Sequence, residues 1–236
     1  MMPTMSVAAK SIPPVVERLP LAEERAGSVL LRGVSWATYE HLLNLVGDGP
    51  HRLTYDSGLL EIEMPSRAHE HAKFLAGQFV VAYLQEFGIA YEAEMSTTWR
   101  REPGGGLEAD ESYYLANVEK IRGKEIDLAI DPPPDLAIEI DLSVPLLEKA
   151  SIYAKLGVPE IWRWRDGRLL VFERAGEHYA ERTGSAAIPG FPLDRLASAL
   201  ERLPHPDQAA VVMEFRRWCR DRATVVNAPA APAGSA

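Results

Sequence analysis

Apolar positions along the chain recur with two different periods, and the switches between them predict the elements. "GVSWATYEHLLNLV" reads as a short amphipathic helix. "RLTYDSGLLEIEMP" reads as two strands joined by a tight turn at Asp56, Ser57 and Gly58. From His69 to Phe87, residues Ala72, Leu75, Ala76, Phe79, Val80 and Tyr83 repeat at three and four, the mark of a buried helix face, and Gly88 ends it. "IAYEAEMSTTWRRE" and "LEADESYYL" read as the next two strands, separated by the glycine run Gly104 to Gly106. The polar stretch "NVEKIRGKEIDLAIDPPP" ends on three prolines that no helix tolerates, so it is expected to run along the sheet edge and return at Asp135.

"DLAIEIDL" is the most strand-like segment. Leu136, Ile138, Ile140 and Leu142 fall on one face, and Asp135, Ala137, Glu139 and Asp141 on the other. A helix is expected over Pro145 to Leu156. "GVPEIWRW" and "GRLLVFERAGEHYAE" then give three strands with turns at Asp166-Gly167 and Ala175-Gly176, and helices over Leu193 to Leu203 and Pro206 to Arg222 close the pattern. This order predicts an α/β domain, a central mixed β-sheet flanked by helices, over residues 26–203, with a C-terminal helix over 204–223. Segments 1–25 and 224–236 lack periodicity and are expected to be disordered.

Composition narrows the function. Hydrophobic residues make up 47% and charged residues 25%, as in an ordinary globular domain. The single Cys219 cannot form an internal disulfide, and no basic segment leads into an apolar run at the N-terminus, so a cytoplasmic location is expected. No window approaches the length of an apolar membrane span. A net charge of −9 argues against broad phosphate neutralisation, so any contact with nucleic acid must be local. G-x-S-x-G, P-loop, dinucleotide-fingerprint and paired C-x-x-C motifs are all absent from the sequence.

Candidate chemistry centres on Glu139. A carboxylate between Ile138 and Ile140 is costly unless it is paired or binds a cation. Same-face residues on one strand lie about 6.6 Å apart, too far for Glu139 and Asp141 to share one small ion easily, so a second ligand is expected from a neighbouring strand. Asp110 is the candidate. Lys149, placed one turn into the following helix, could reach back over the strand end. A Mg²⁺ ion held by Asp110, Glu139 and the backbone carbonyl of Ile140 would suit hydrolysis of a phosphodiester, with Lys149 stabilising charge. The plainer reading of Asp110 and Glu139 is a buried salt bridge with Arg100 or Arg101. That of Lys149 is a solvated helix residue.

"GLEADE", "PPPDLAIEIDLS", "EKASIYAKLGVPEIWRW" and "PGFPLDRL" together resemble the Uma-type restriction endonucleases, a bacterial branch of the PD-(D/E)XK nuclease superfamily, from about Arg52 to Leu200. The resemblance implies a restriction-endonuclease-like fold and a magnesium-dependent nuclease site, with Mn²⁺ a possible substitute and DNA the substrate. By position, Asp110 matches the first aspartate, Glu139 the (D/E) and Lys149 a lysine displaced onto the helix. "MPSRAHEH" resembles the family's helix start, which adds His69, with Glu61 on the strand before it; Asp141 is an outer-shell or capping candidate. Two departures stand out: Ala109 replaces the usual proline, and Asp141 occupies the position where the parent superfamily has its lysine. They motivate the alternative of a catalytically inactive module that keeps the fold and binds nucleic acid or a protein. "AAVVMEFRRWCRDR" could supply the amphipathic helix of a homodimer.

Overall fold

The computed structural model describes residues 21–226 apart from 26, 48 and 104. Two strands, β1 (Leu21–Arg25) and β2 (Ser28–Arg32), lead into α1 (Trp36–Val46), and the expected hairpin follows as β3 (Arg52–Asp56) and β4 (Leu59–Glu63). Ser57 and Gly58 turn it with φ of 49° and 89°, the left-handed pair that matches the twist of a two-residue hairpin. Then come α2 (Arg67–Glu86), β5 (Glu92–Met95), β6 (Thr98–Arg101), β7 (Gly105–Glu108), β8 (Glu111–Tyr114), the short α3 (Val118–Ile121) and β9 (Leu136–Asp141). The chain continues through α4 (Lys149–Leu156), β10 (Glu160–Arg165), β11 (Arg168–Ala175), β12 (His178–Arg182), α5 (Leu193–Glu201) and α6 (Gln208–Val226).

The expected single sheet is two six-stranded sheets. One is antiparallel, in the order β1-β2-β4-β3-β7-β6; the other runs β12-β11-β10-β9-β8-β5 and is mixed through its parallel β9–β10 pair. The segments read as single strands each divide between the sheets. Residues 92–114 form one long hairpin that bends where Ser96, at φ 50°, and Thr97 pass Ala109 and Asp110, linked by Ser96 N–H to Asp110 O and Ala109 N–H to Thr97 O. Above the bend β6 and β7 join the first sheet; below it β5 and β8 join the second. Asp110 therefore lies at the seam rather than within a strand. The glycine run has a packing reason, since a Cβ on Gly106 would collide with the Tyr39 hydroxyl.

One face of the mixed sheet is covered by α2, α5 and α6. Leu75, Phe79 and Val80 of α2 pack there with Ile138, Ile140, Trp162 and Trp164, so the tryptophans are core residues. Helix α6 packs part of its apolar face against α2. Phe215 and Cys219 are buried, and Phe215 stacks on Phe79 at 4.2 Å, while Met213 on the same helix stays exposed. The other sheet face, bearing Ala137 and Ile161, packs on Ile152, Tyr153 and Leu156 of α4. Glu139 shares that face by alternation.

Three boundaries differ from expectation. The N-terminal segment supplies β1, an edge strand ordered by its ladder to β2, and α6 continues to Val226; the remainder of both terminal segments lies outside the described residues. Helix α4 begins at Lys149 rather than Pro145, so Lys149 is its first residue. It stops at Gly157, whose left-handed φ of 90° lets its N–H return to Tyr153 and Ala154 carbonyls. Among the described residues, no helix is long and apolar enough to cross a membrane.

Candidate active site

The β8–β9 ladder ends with Glu111 opposite Ile138, and continuing the register by one residue sets Asp110 opposite Glu139. The bend removes the main-chain partner there, and Asp110 substitutes its side chain: Ile140 N–H donates to its Oδ2 at 2.7 Å. Both carboxylates are buried, at 0% and 2% exposure. Two acids 29 residues apart in sequence thus come to the same buried seam.

Each has a cation. The Arg52 guanidinium, reaching across from β3 of the other sheet, donates to Asp110 Oδ1. His69 Nε2 lies 3.2 Å from Asp110 Oδ2. His69 stands in the first turn of α2, where Ser66 caps the helix by accepting from His69 N–H. Burial opposes ionisation of Asp110, but the His69 hydrogen bond and the Arg52 charge outweigh it and hold its pKa below the usual carboxylate range. Burial likewise disfavours protonated His69, yet Asp110 raises its pKa.

Glu139 receives two groups from one face of α4. Lys149 Nζ donates to Oε2 at 2.7 Å, and Tyr153, one turn on, donates its hydroxyl to Oε1. Burial pushes the Glu139 pKa upward, Lys149 opposes it, and the negative charges of Asp110 and Asp141 add to it. Burial alone would strip the Lys149 proton, but Glu139, Asp110 and Glu63 keep the ammonium well above its ordinary range. Lys149 is 5% exposed and paired with Glu139, so it is not a solvated helix residue.

The accessory candidates sort by contact. Glu61 is buried and accepts from the N–H groups of Leu146 and Leu147 at 3.0 and 2.9 Å, which fixes the loop that launches α4. It positions Lys149 and touches neither site carboxylate. Asp141 pairs with Arg163, which also binds Glu148 at 2.7 Å. Arg100 and Arg101, the expected salt-bridge partners, serve elsewhere: Arg100 lies 4.0 Å from Glu40, and Arg101 donates to main-chain carbonyls. Arg52 and Tyr153 are the site residues that the sequence argument missed. A tyrosine four residues after the lysine was a usable signal; nothing local to Arg52 marks it.

Asp110, Glu139 and the Ile140 carbonyl are the groups here that could hold a cation. Cross-strand neighbours have Cβ atoms about 5 Å apart, close enough for two carboxylates to share an ion. The N–H and C=O of a strand residue face the same neighbour, so the Ile140 carbonyl is directed toward Asp110 as its N–H is. Among the described residues no three His, Cys, Asp or Glu side chains converge as a group that could hold a metal ion.

Buried acids at a strand crossing, with a lysine from the next helix, accompany a match over residues 36–204 to the Uma2 family, described as "Putative restriction endonuclease". The chain belongs to the Uma2 family. Its fold is accordingly restriction-endonuclease-like, and the family points to a nuclease. No curated protein matches the chain. Within this Uma2 chain the matched residues include Asp110, Glu139 and Lys149 together with Arg52, Glu61 and His69.

Proposed function

We propose that this Uma2 protein is a Mg²⁺-dependent endonuclease that hydrolyses phosphodiester bonds of DNA, Mn²⁺ serving as a substitute. The observation that carries the reading is the meeting of Asp110 and Glu139 at one buried seam with Lys149 on Glu139. Asp110, Glu139 and the Ile140 carbonyl would hold the ion, which when bound lowers the pKa of a water and offsets phosphate charge. The protein groups have separate tasks. Arg52 and His69 keep Asp110 ionised, and Tyr153 fixes the orientation of Glu139. Lys149 is placed to orient a water or to offset charge that develops on the phosphoryl oxygens.

The test is incubation with supercoiled plasmid and with single-stranded DNA in Mg²⁺, in Mn²⁺ and in EDTA, beside Glu139→Gln. Metal-dependent cleavage that Glu139→Gln abolishes without loss of folding supports the assignment, and an equally active variant sinks it. One observation favours the second reading, an inactive nuclease-fold module that binds nucleic acid or protein: both oxygens of each carboxylate already have protein donors. Calorimetric titration with Mn²⁺ separates the two, since a folded protein that takes up no metal favours the module.

A further inference from the structure

A groove of about 820 Å³ opens beside the carboxylate–lysine pair, between α4 and strands β10 to β12, with Glu139 and Lys149 in its wall. It follows one sheet face outward from Glu139. Arg163 is the β10 neighbour of Glu139, Phe172 stands opposite Ile161 on β11, and Tyr179 stands opposite Arg174 on β12. Two partly exposed aromatic rings therefore lie at a distance from the acids, with cations on either side of them. Lys and Arg outnumber Glu four to three along the wall, in a chain whose net charge is −9. Arg163 carries the clearest sign of a missing partner. Its Nε and Nη1 bind Asp141 and Glu148, while its Nη2 is buried and makes no hydrogen bond among the described residues.

We propose that this groove binds one or two unpaired nucleotides of a DNA strand, with phosphate against Arg163 and Arg174 and bases against Phe172 and Tyr179. The proposal rests on the nuclease reading of the adjoining acids and adds the shape of the substrate. A cavity of this volume holds a molecule of nucleotide or dinucleotide size. An anionic strand with exposed ring faces is what alternating guanidinium and aromatic groups recognise without reading sequence. The expected preference is for single-stranded, frayed or branched DNA over continuous duplex.

Fluorescence anisotropy in EDTA, where no cleavage interferes, tests it with a labelled short oligothymidylate and a blunt hairpin duplex of equal length. The single strand should bind about tenfold more tightly or better, and Arg174→Glu, at an exposed position, should remove most of that advantage. Phe172→Ala should weaken single-strand binding while leaving the salt dependence unchanged. Equal binding of the two DNAs, or wild-type affinity in Arg174→Glu, overturns the proposal. Metal- and Glu139-dependent plasmid cleavage alongside groove variants of normal affinity would overturn the groove alone. Groove-dependent binding by a protein that never cleaves would overturn the nuclease reading and leave the groove standing.

Discussion

Arg52 and Lys149 each sit on a carboxylate that water does not reach, so removing either leaves an uncompensated buried charge. Such losses typically cost about 3–5 kcal/mol. Asp110 would retain His69 and the Ile140 N–H, so Arg52→Met is expected to cost about 3 kcal/mol, read from the urea midpoint; an unchanged midpoint would refute the pairing. Glu111, on the α2 side of the same crossing, has no cation bound to it directly among the described residues. Burial raises its pKa to about 7, with Asp110 and Glu70 adding and the Tyr113 hydrogen bond and Lys73 opposing. The folded protein thus holds a proton that the unfolded chain releases from about pH 4.5, and stability declines as pH rises from there toward 7. Glu111→Gln should remove that decline and gain roughly 1–3 kcal/mol at pH 8, little of it at pH 4. A constant difference between the two pH values would contradict this. At this scale the buried contact of Lys149 with Glu139, near Asp110, was legible because the resemblance had picked out those three positions. Arg52 was not, because its role depends on which sheet lies opposite β3.

Elements were legible where a local period decides them and obscure where tertiary pairing does. The stripe of α2 and the two left-handed turns at Ser57-Gly58 and Asp166-Gly167 follow from spacing and turn chemistry. The bend that divides residues 92–114 between two sheets has no comparable signature, since Ser96 and Asp110 occupy it only because each half pairs with a different neighbour. The late start of α4 also comes from a distance: Glu61, 85 residues earlier, captures the Leu146 N–H. Glu61→Ala leaves two main-chain donors without their acceptor, at about 1–3 kcal/mol each. Faster amide exchange at Leu146 and Leu147, together with slower cleavage, is expected from that variant; unchanged exchange would show that the loop holds itself.

Across the whole molecule, the site exists because two sheets meet. Asp110 belongs to the crossing chain, Arg52 to the first sheet, Glu139 to the second, and His69 and Lys149 to the starts of α2 and α4. The sequence pattern predicted an α/β sheet flanked by helices but merged the two sheets into one, because alternation reports that a segment is a strand and not which sheet it joins. The acidic total was informative in a limited way. It excludes a broadly basic surface, and the cations that matter are gathered at the seam and the adjoining groove.

The most direct measurement is the Mg²⁺-dependent rate of nicking of supercoiled plasmid by the wild-type protein, by Asp110→Asn and Glu139→Gln singly, and by the double variant, with folding verified by circular dichroism. If the two carboxylates serve one ion, each single change should slow nicking by about 100-fold or more and the double variant should be no slower than the worse single. Single variants that nick at the wild-type rate, losses that multiply in the double variant, or a wild-type protein that cleaves neither the plasmid nor single-stranded DNA would contradict that account.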